Sequence, residues 1–456
     1  MFVRRSAAVL AATAVIGTAF APAALADESP TASPSPSPSL TLPSGLYGST
    51  DPTYDGVWRQ SLALLAQHTV GVRPAAKAVD WLTGQQCANG GFAAYRADPA
   101  TKCDAKTQTD TNSTGAALQA LAALDADDTG TGTGAADAPD TTDTTDTTDT
   151  TAAAVKWLKS VQNEDGGWGY LPGGASDTNS TSVVIGALEA TDTDTQDLRS
   201  KDDRTPYEAL LGLALPCGEG GENGKDSGNG GGAFAFQPDK KGKLAANADA
   251  TAAGVLGALG EGLTTDPEDD ERSATPSGTG KDAECAAGDS PTAEQAAANG
   301  AAYLAGAVAE TGHLESALAG AEDQPDYGNT ADTVVALAAA GRTADAGKPL
   351  AWLKKNSGSW AAESGPAAYA QLIFAAHATG TDPRDFGGAD LVKQLGATGP
   401  AAEPANKNSK DDKQATQDAS EDDGGVSVWW IVGVGLVGGI GVGFLLSSRT
   451  KKQRQP

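Results

Sequence analysis

Polar and apolar residues occur in blocks along this chain. DTNSTGAALQAL from Asp110 and DTNSTSVVIGAL from Asp177 each set acid, amide and hydroxyl side chains before an apolar run. Asp, Asn, Ser and Thr favour helix starts because their short oxygens accept from the unpaired N–H groups of the first turn. Leu118, Leu121 and Leu124 then recur at the spacing of one helix face. No sustained alternation of period two appears, so the pattern predicts an all-α chain.

The pattern repeats. WLTGQQCANGGF from Trp81 and WLKSVQNEDGGW from Trp157 align without gaps, and fainter copies stand at Gly231 (GGAFAF) and Trp352 (WLKKNSGSW). Each repeat reads as a helix ending near the Gln, a Gly turn carrying an aromatic plug, and a second, more apolar helix opened by polar caps. Second-type helices are expected to start near Tyr54, Asn112, Asn179, Ala248, Asn329 and Pro366. First-type helices are expected near Ala75, Ala152, Pro206, Thr292, Pro349 and Ala389. The chain opens on one type and closes on the other, so its last helix could pair with its first and close a ring. The more uniformly apolar second-type helices should line the inside.

Gln86-xxx-Gly90-x-Phe92 and Gln162-xxx-Gly166-x-Trp168 resemble the QW repeat of squalene-hopene cyclases and prenyltransferase β subunits. The resemblance implies an α6/α6 toroid. It also extends to the transcobalamin family, whose inner helices open on Asp-Thr, similar to Asp110-Thr111 and Asp177-Thr178 here.

The ends of the chain carry a different signal. Residues 1–26 read as a secretory signal peptide, with Arg4 and Arg5, an apolar run and an Ala24-Leu25-Ala26 cleavage pattern. Residues 27–46 are a Pro/Ser-rich linker, 47–397 the toroid, and 398–425 a charged spacer. Residues 426–448 are long and apolar enough for a transmembrane helix, and the basic tail 449–456 places the C-terminus in the cytoplasm. The toroid is therefore expected outside the cell, held to the cytoplasmic membrane by one pass, like an actinobacterial type of surface protein. TDTTDTTDTT around Asp143 reads as an inserted surface loop.

Charge and cysteines narrow the partners. The net charge of -27 disfavours nucleic acid. Cys87, Cys103, Cys217 and Cys285 suit disulfides in an exported chain, with Cys87–Cys103 and Cys217–Cys285 preferred by proximity.

Three chemistries have only partial counterparts in the residues. Asp125-Ala126-Asp127-Asp128 matches the DxDD acid of class II terpene cyclases, but it closes an inner helix where that motif opens one. His68, His313 and His377 are isolated, against a prenyltransferase-type zinc site, and Cys217-Gly218-Glu219 lacks the Gln of a complement-type thioester. No cofactor is expected. The residues favour a non-catalytic cell-surface binding module that captures a small molecule, with a corrinoid suggested by the transcobalamin resemblance. Asp110, Thr111, Asn112, Asp177, Thr178, Asn179, Asp249 and Asp332 would form its ligand-binding rim, where helix N-termini meet acceptor-rich ligands. A terpene-cyclase- or prenyltransferase-like enzyme and an envelope protein-interaction platform remain the alternatives.

Overall fold

The computed structural model describes residues 42–104, 106–128, 144–217, 231–267, 291–317 and 323–403. The expected signal peptide, transmembrane helix and basic tail lie outside these, as do most of both linkers and Cys285. Among the described residues no helix is long and apolar enough to cross a membrane.

Helices follow one another along the chain as α1 (Gly56–Thr69), α2 (Ala76–Thr83), α3 (Thr111–Asp128), α4 (Thr144–Ser160) and α5 (Thr178–Glu189). Then come α6 (Pro206–Leu211), α7 (Ala248–Leu259), α8 (Ala293–Val308), α9 (Tyr327–Ala339) and α10 (Thr343–Asn356). A short α11 (Gly358–Ser364), α12 (Pro366–Ala378) and α13 (Leu391–Gly396) complete the set. The only paired strands among the described residues are β1 (Leu314–Glu315) and β2 (Pro325–Asp326).

Helices α1, α3, α5, α7, α9 and α12 pack each against the next, and α12 packs back on α1. This is the closed inner ring that the repeat order predicts. α2, α4, α6, α8, α10 and α13 lie outside it, and Gly48 N–H donates to Thr398 O at 2.8 Å where the two ends of the fold meet. Inner helices are covered on nearly every side because each sits between two ring neighbours and an outer helix, so their apolar residues form one continuous core.

One local circuit is repeated four times and sets this geometry. Asp110, Asp177, Asn247 and Asp326 each cap an inner helix by accepting from the N–H three residues on, at 2.7, 2.7, 2.8 and 3.0 Å. A Thr four residues after each cap accepts the N–H of the plug residue: Thr114 from Phe92, Thr181 from Trp168, Thr251 from Phe234 and Thr330 from Leu314. The three aromatic plugs are wholly buried. The motif Gln is structural too: Gln86 Nε2 donates to Gly90 O and Thr150 O, and Gln162 Nε2 to Gly166 O.

The motif Gly is demanded by backbone. Gly166 has φ +94°, and a Cβ there would lie 2.2 Å from Thr205 O at the cap of α6. Gly166→Ala is therefore expected to destabilise the fold by about 3 kcal/mol or more. Gly173, with φ +77° and open space around it, should cost only about 1 kcal/mol as Ala. Denaturant midpoints of the two variants check the difference, and equal losses would show that the contact with Thr205 relaxes freely.

Three boundaries differ from the sequence pattern. α4 begins at Thr144, so the second half of the Thr/Asp tract is helical and not a loop. Its Thr150 and Thr151 are buried, Thr151 beside Asp125, and this packing outweighs weak helix propensity. α10 begins before Pro349, which is tolerated inside the helix and buried there. α9 is capped by Asp326 and not by Asn329. Cys87–Cys103 is formed, and Cys217 is disulfide-bonded as well.

Candidate functional site

All inner helices of the four-fold circuit start at the same mouth of the ring, but the rim residues there do different work. Asp110 accepts from Ser113 and Ala94 N–H groups at 2.7 Å each. Asp177 accepts from Ser180 N–H, Ser180 Oγ and Tyr170 N–H. Burial raises both carboxyls above the ordinary range, and these hydrogen bonds oppose the rise. Thr111 donates its N–H to Tyr170 O and its hydroxyl to Gly169 O; Thr178 does the same to Phe236 O and Ala235 O. Each repeat thus satisfies the free N–H of the preceding inner helix. Asp110, Thr111, Asp177 and Thr178 are committed to structure.

Asn112, Asn179 and Asp249 occupy the second position of α3, α5 and α7, one step inside the caps, and all three are partly accessible. Accessibility continues one turn inward to Val183, Ala253, Asp332 and Gln371. One turn further, Ala187, Gly257, Ala336 and Ala375 are covered. On the α1 and α3 side closure comes earlier, at Leu62 and Ala116. These exposures outline a funnel in the mouth that reaches furthest beside α5, α7, α9 and α12, where Asp332 and Gln371 are among the innermost partly accessible residues.

Asp332 does not stand on the rim as the sequence pattern placed it. Because the cap is Asp326, Asp332 lies six residues beyond it, within the second turn of α9. Asp332 is partly accessible, between the wholly buried Ala331 and Thr333. Gln371 Nε2 donates to both its oxygens at 3.1 Å, and Asn179 Nδ2 donates to Asp249 Oδ2 at 3.0 Å. Burial first, then the negative field of Asp249, push the Asp332 carboxyl up to about 7. Burial also raises Asp249, with Asp326 adding to it and Asn179 opposing. None of the ion pairs among the described residues involves Asp249 or Asp332.

Trp360 lies near Gln371, and Tyr327 packs between Trp360 and Trp352 of the outer helix α10. Tyr327 stacks on Trp360 with centroids 5.5 Å apart, and a Cβ on Gly328 would meet both Gln371 and Trp360 within 4 Å. Sequence reasoning missed Asp326, Gln371, Tyr327 and Trp360. The signal was present for the first: a cap followed by Thr four residues on recurs at Asp110/Thr114, Asp177/Thr181, Asn247/Thr251 and Asp326/Thr330.

Other candidates lie elsewhere. The Asp125–Asp128 cluster ends α3, at the far end from the funnel. Among the described residues no group of three or more His, Cys, Asp or Glu is placed to hold a metal. A groove of 1080 Å³ opens on the outer wall between Gln162, Gly174, Lys201 and Glu208. Its charged Arg204 and Glu208 pair with each other at 3.0 Å, and Asn163, Asp165 and Ser176 are hydrogen-bonded among themselves and to the adjoining turn. The funnel, with its unpaired acids, is the better candidate.

No family model matches the chain, and no curated protein is similar to it. Solved structures with a similar arrangement of helices include a glycosidase variant (16% identity, 74% of this chain and 92% of that one, TM-score 0.45). They also include ent-copalyl diphosphate synthase from Streptomyces platensis (15% identity, 72% of this chain, TM-score 0.41), of which the match spans 51%. A sugar epimerase from a ruminal bacterium is similar over 69% of this chain and 80% of its own, at 14% identity and TM-score 0.40. At these values no substrate or residue is transferred. One expectation finds no support among them: the three named here are enzymes, not non-catalytic binding modules or corrinoid carriers.

Proposed function

We propose that the chain is an acid–base enzyme whose site is the funnel, with Asp332 as proton carrier and Asp249 as the neighbouring carboxylate. What supports this reading is the pair of partly accessible acids at the mouth, Asp332 held by Gln371 on both oxygens and Asp249 by Asn179, with no ion pair to either among the described residues, where burial and the field of Asp249 raise the Asp332 carboxyl. Two carboxyls pushed to different affinities divide into an acid and a base. Asp332 is protonated below pH about 7 and in that form delivers its proton to a leaving oxygen. Asp249 accepts a proton from the attacking water. Asn179 and Gln371 hold hydroxyl groups, and their polarity favours an oxygen-rich substrate over a hydrocarbon carbocation. Hydrolysis of a neutral acetal C–O bond is the reaction that fits these parts. The expected signal peptide and C-terminal span would place it outside the cell, where the Cys87–Cys103 disulfide is stable.

Release of the aryl alcohol from neutral aryl glycosides by the full chain tests this. Turnover should fall as pH rises through about 7, where Asp332 loses its proton. Asp332→Asn should lower kcat by about 10² to 10⁴. Asp249→Asn should move the alkaline limb to lower pH, because the field that holds the proton on Asp332 is gone. An Asp332→Asn protein with unchanged kcat would overturn the assignment.

A further inference from the structure

Four large hydrophobic residues remain exposed among the described residues: Tyr54 at 60%, Tyr95 at 49%, Tyr170 at 45% and Phe236 at 44%. All four stand on the mouth that holds the funnel. Tyr54 and Tyr95 face each other beside the start of α1, with ring centroids 4.7 Å apart. Tyr170 stands over the start of α3 and Phe236 over the start of α5, fixed there by the bonds from Thr111 and Thr178 to their carbonyls. The rings therefore follow three consecutive inner helices. Neighbouring packed helices lie about 8–10 Å apart, so the arc runs roughly 16–20 Å toward the acid pair.

The surroundings restrict what this arc can receive. Beside Tyr54, Arg59 turns inward to Tyr47 O, Thr50 and Asp51 O and leaves the exposed Asp51 and Asp55 at that end of the arc, while Asp239, Lys240, Lys241 and Lys243 give the turn after Phe236 both signs of charge. An anionic chain would meet like charge at the Tyr54 end and a cationic one at the Phe236 end, so a neutral ligand fits the whole arc. A peptide strand would need free backbone groups, and the carbonyls of Tyr170 and Phe236 are already taken by Thr111 and Thr178. What suits a row of exposed rings with mixed charge at its edges is a ligand with weakly polar C–H faces and hydroxyl edges. Tyr170 retains its hydroxyl proton up to about 12, raised by burial and then by Asp110 and Asp55, so it remains a neutral donor at ordinary pH.

We infer that the mouth is a platform for a neutral oligosaccharide, stacked on Tyr54, Tyr95, Tyr170 and Phe236 and delivered to the funnel. This rests on the acid–base reading of Asp332 for its chemistry, but its binding step can be measured alone. The full chain is titrated calorimetrically with cellohexaose, xylohexaose, mannohexaose, maltohexaose and chitohexaose, and with hexalysine as the cationic control. At least one hexasaccharide should bind, with little dependence on salt. Tyr170→Ala with Phe236→Ala should weaken it about tenfold, since one well-placed ring contact contributes roughly two- to tenfold. Tyr170→Trp should preserve it. Both side chains are exposed, so thermal stability should hold in these variants.

Hexasaccharide binding unchanged by the double substitution overturns the platform. So does the absence of hexasaccharide binding at millimolar concentration, or salt-dependent binding of hexalysine alone. Asp332→Asn separates the two readings. A variant that binds the hexasaccharide with wild-type affinity and has lost turnover supports both. Ring-dependent binding with turnover unaffected by Asp332→Asn sinks the acid–base assignment and leaves the platform standing.

Discussion

Asp332→Asn is expected to stabilise the fold at pH 8 by on the order of 4 kcal/mol and to change it little at pH 4. The gap between about 7 in the folded chain and the ordinary 3.8 sets the size, at 1.36 kcal/mol per unit. Below pH 4 the carboxyl is neutral folded or unfolded, so nothing distinguishes the states. Between pH 4 and 7 the unfolded chain releases the proton while the folded chain keeps it. Stability therefore falls as pH rises across that window and levels off above it. Asparagine has no charge to bury and can still accept from Gln371, so the variant should lose this pH dependence. Denaturant unfolding at the two pH values measures it. A loss at pH 8 in place of a gain would mean that the funnel compensates the carboxylate, which would remove the ground for calling Asp332 a proton carrier. An acid that costs stability at neutral pH marks the kind of position where function and stability oppose each other.

The second large effect is at the aromatic plug. Trp168→Ala should cost about 3–5 kcal/mol, the range for emptying a buried large aromatic site. Trp168 is wholly covered, and its indole N–H donates to Leu158 O at 2.8 Å. Its backbone bonds to Thr181 and Asp177 survive substitution, so the change reports volume and the indole bond alone. Trp168→Phe keeps most of the volume and loses the bond, and should cost about 1–2 kcal/mol. If the two variants were equally unstable, the bond to Leu158 would be the larger contribution and the plug would not be held by packing.

Much of this architecture is legible because it is written in repeats. Capping residues, Gly turns and plug aromatics recur at fixed offsets, and each offset corresponds to one hydrogen bond of the circuit, such as Thr114 to Phe92. Where a repeat loses its aromatic the register slips: Leu314 fills the plug position before α9, and without a ring to mark it the cap is misread by three residues. That slip also set Asp332 on the rim, whereas it lies six residues into α9; only the packing of α7 and α12 against α9 brings Asp249 and Gln371 to it. Gln371 sits in an apolar helix without any neighbouring motif, and its role depends on which face of α12 meets the funnel.

The seam where the ring closes has a further consequence. Tyr47 is wholly buried there and bonds Pro400 O, a Cβ on Gly399 would strike its ring, and Arg73 pairs with Glu403 at 3.2 Å. A linear array of repeats has two ends from which it can fray, and its unfolding can proceed repeat by repeat. Here the first and last repeats buttress each other, so there is no outermost unit to peel away. Opening requires breaking contacts between residues more than three hundred positions apart. Closing contacts of that separation costs more loop-closure entropy than closing those within a repeat, so the seam is expected to form late in folding.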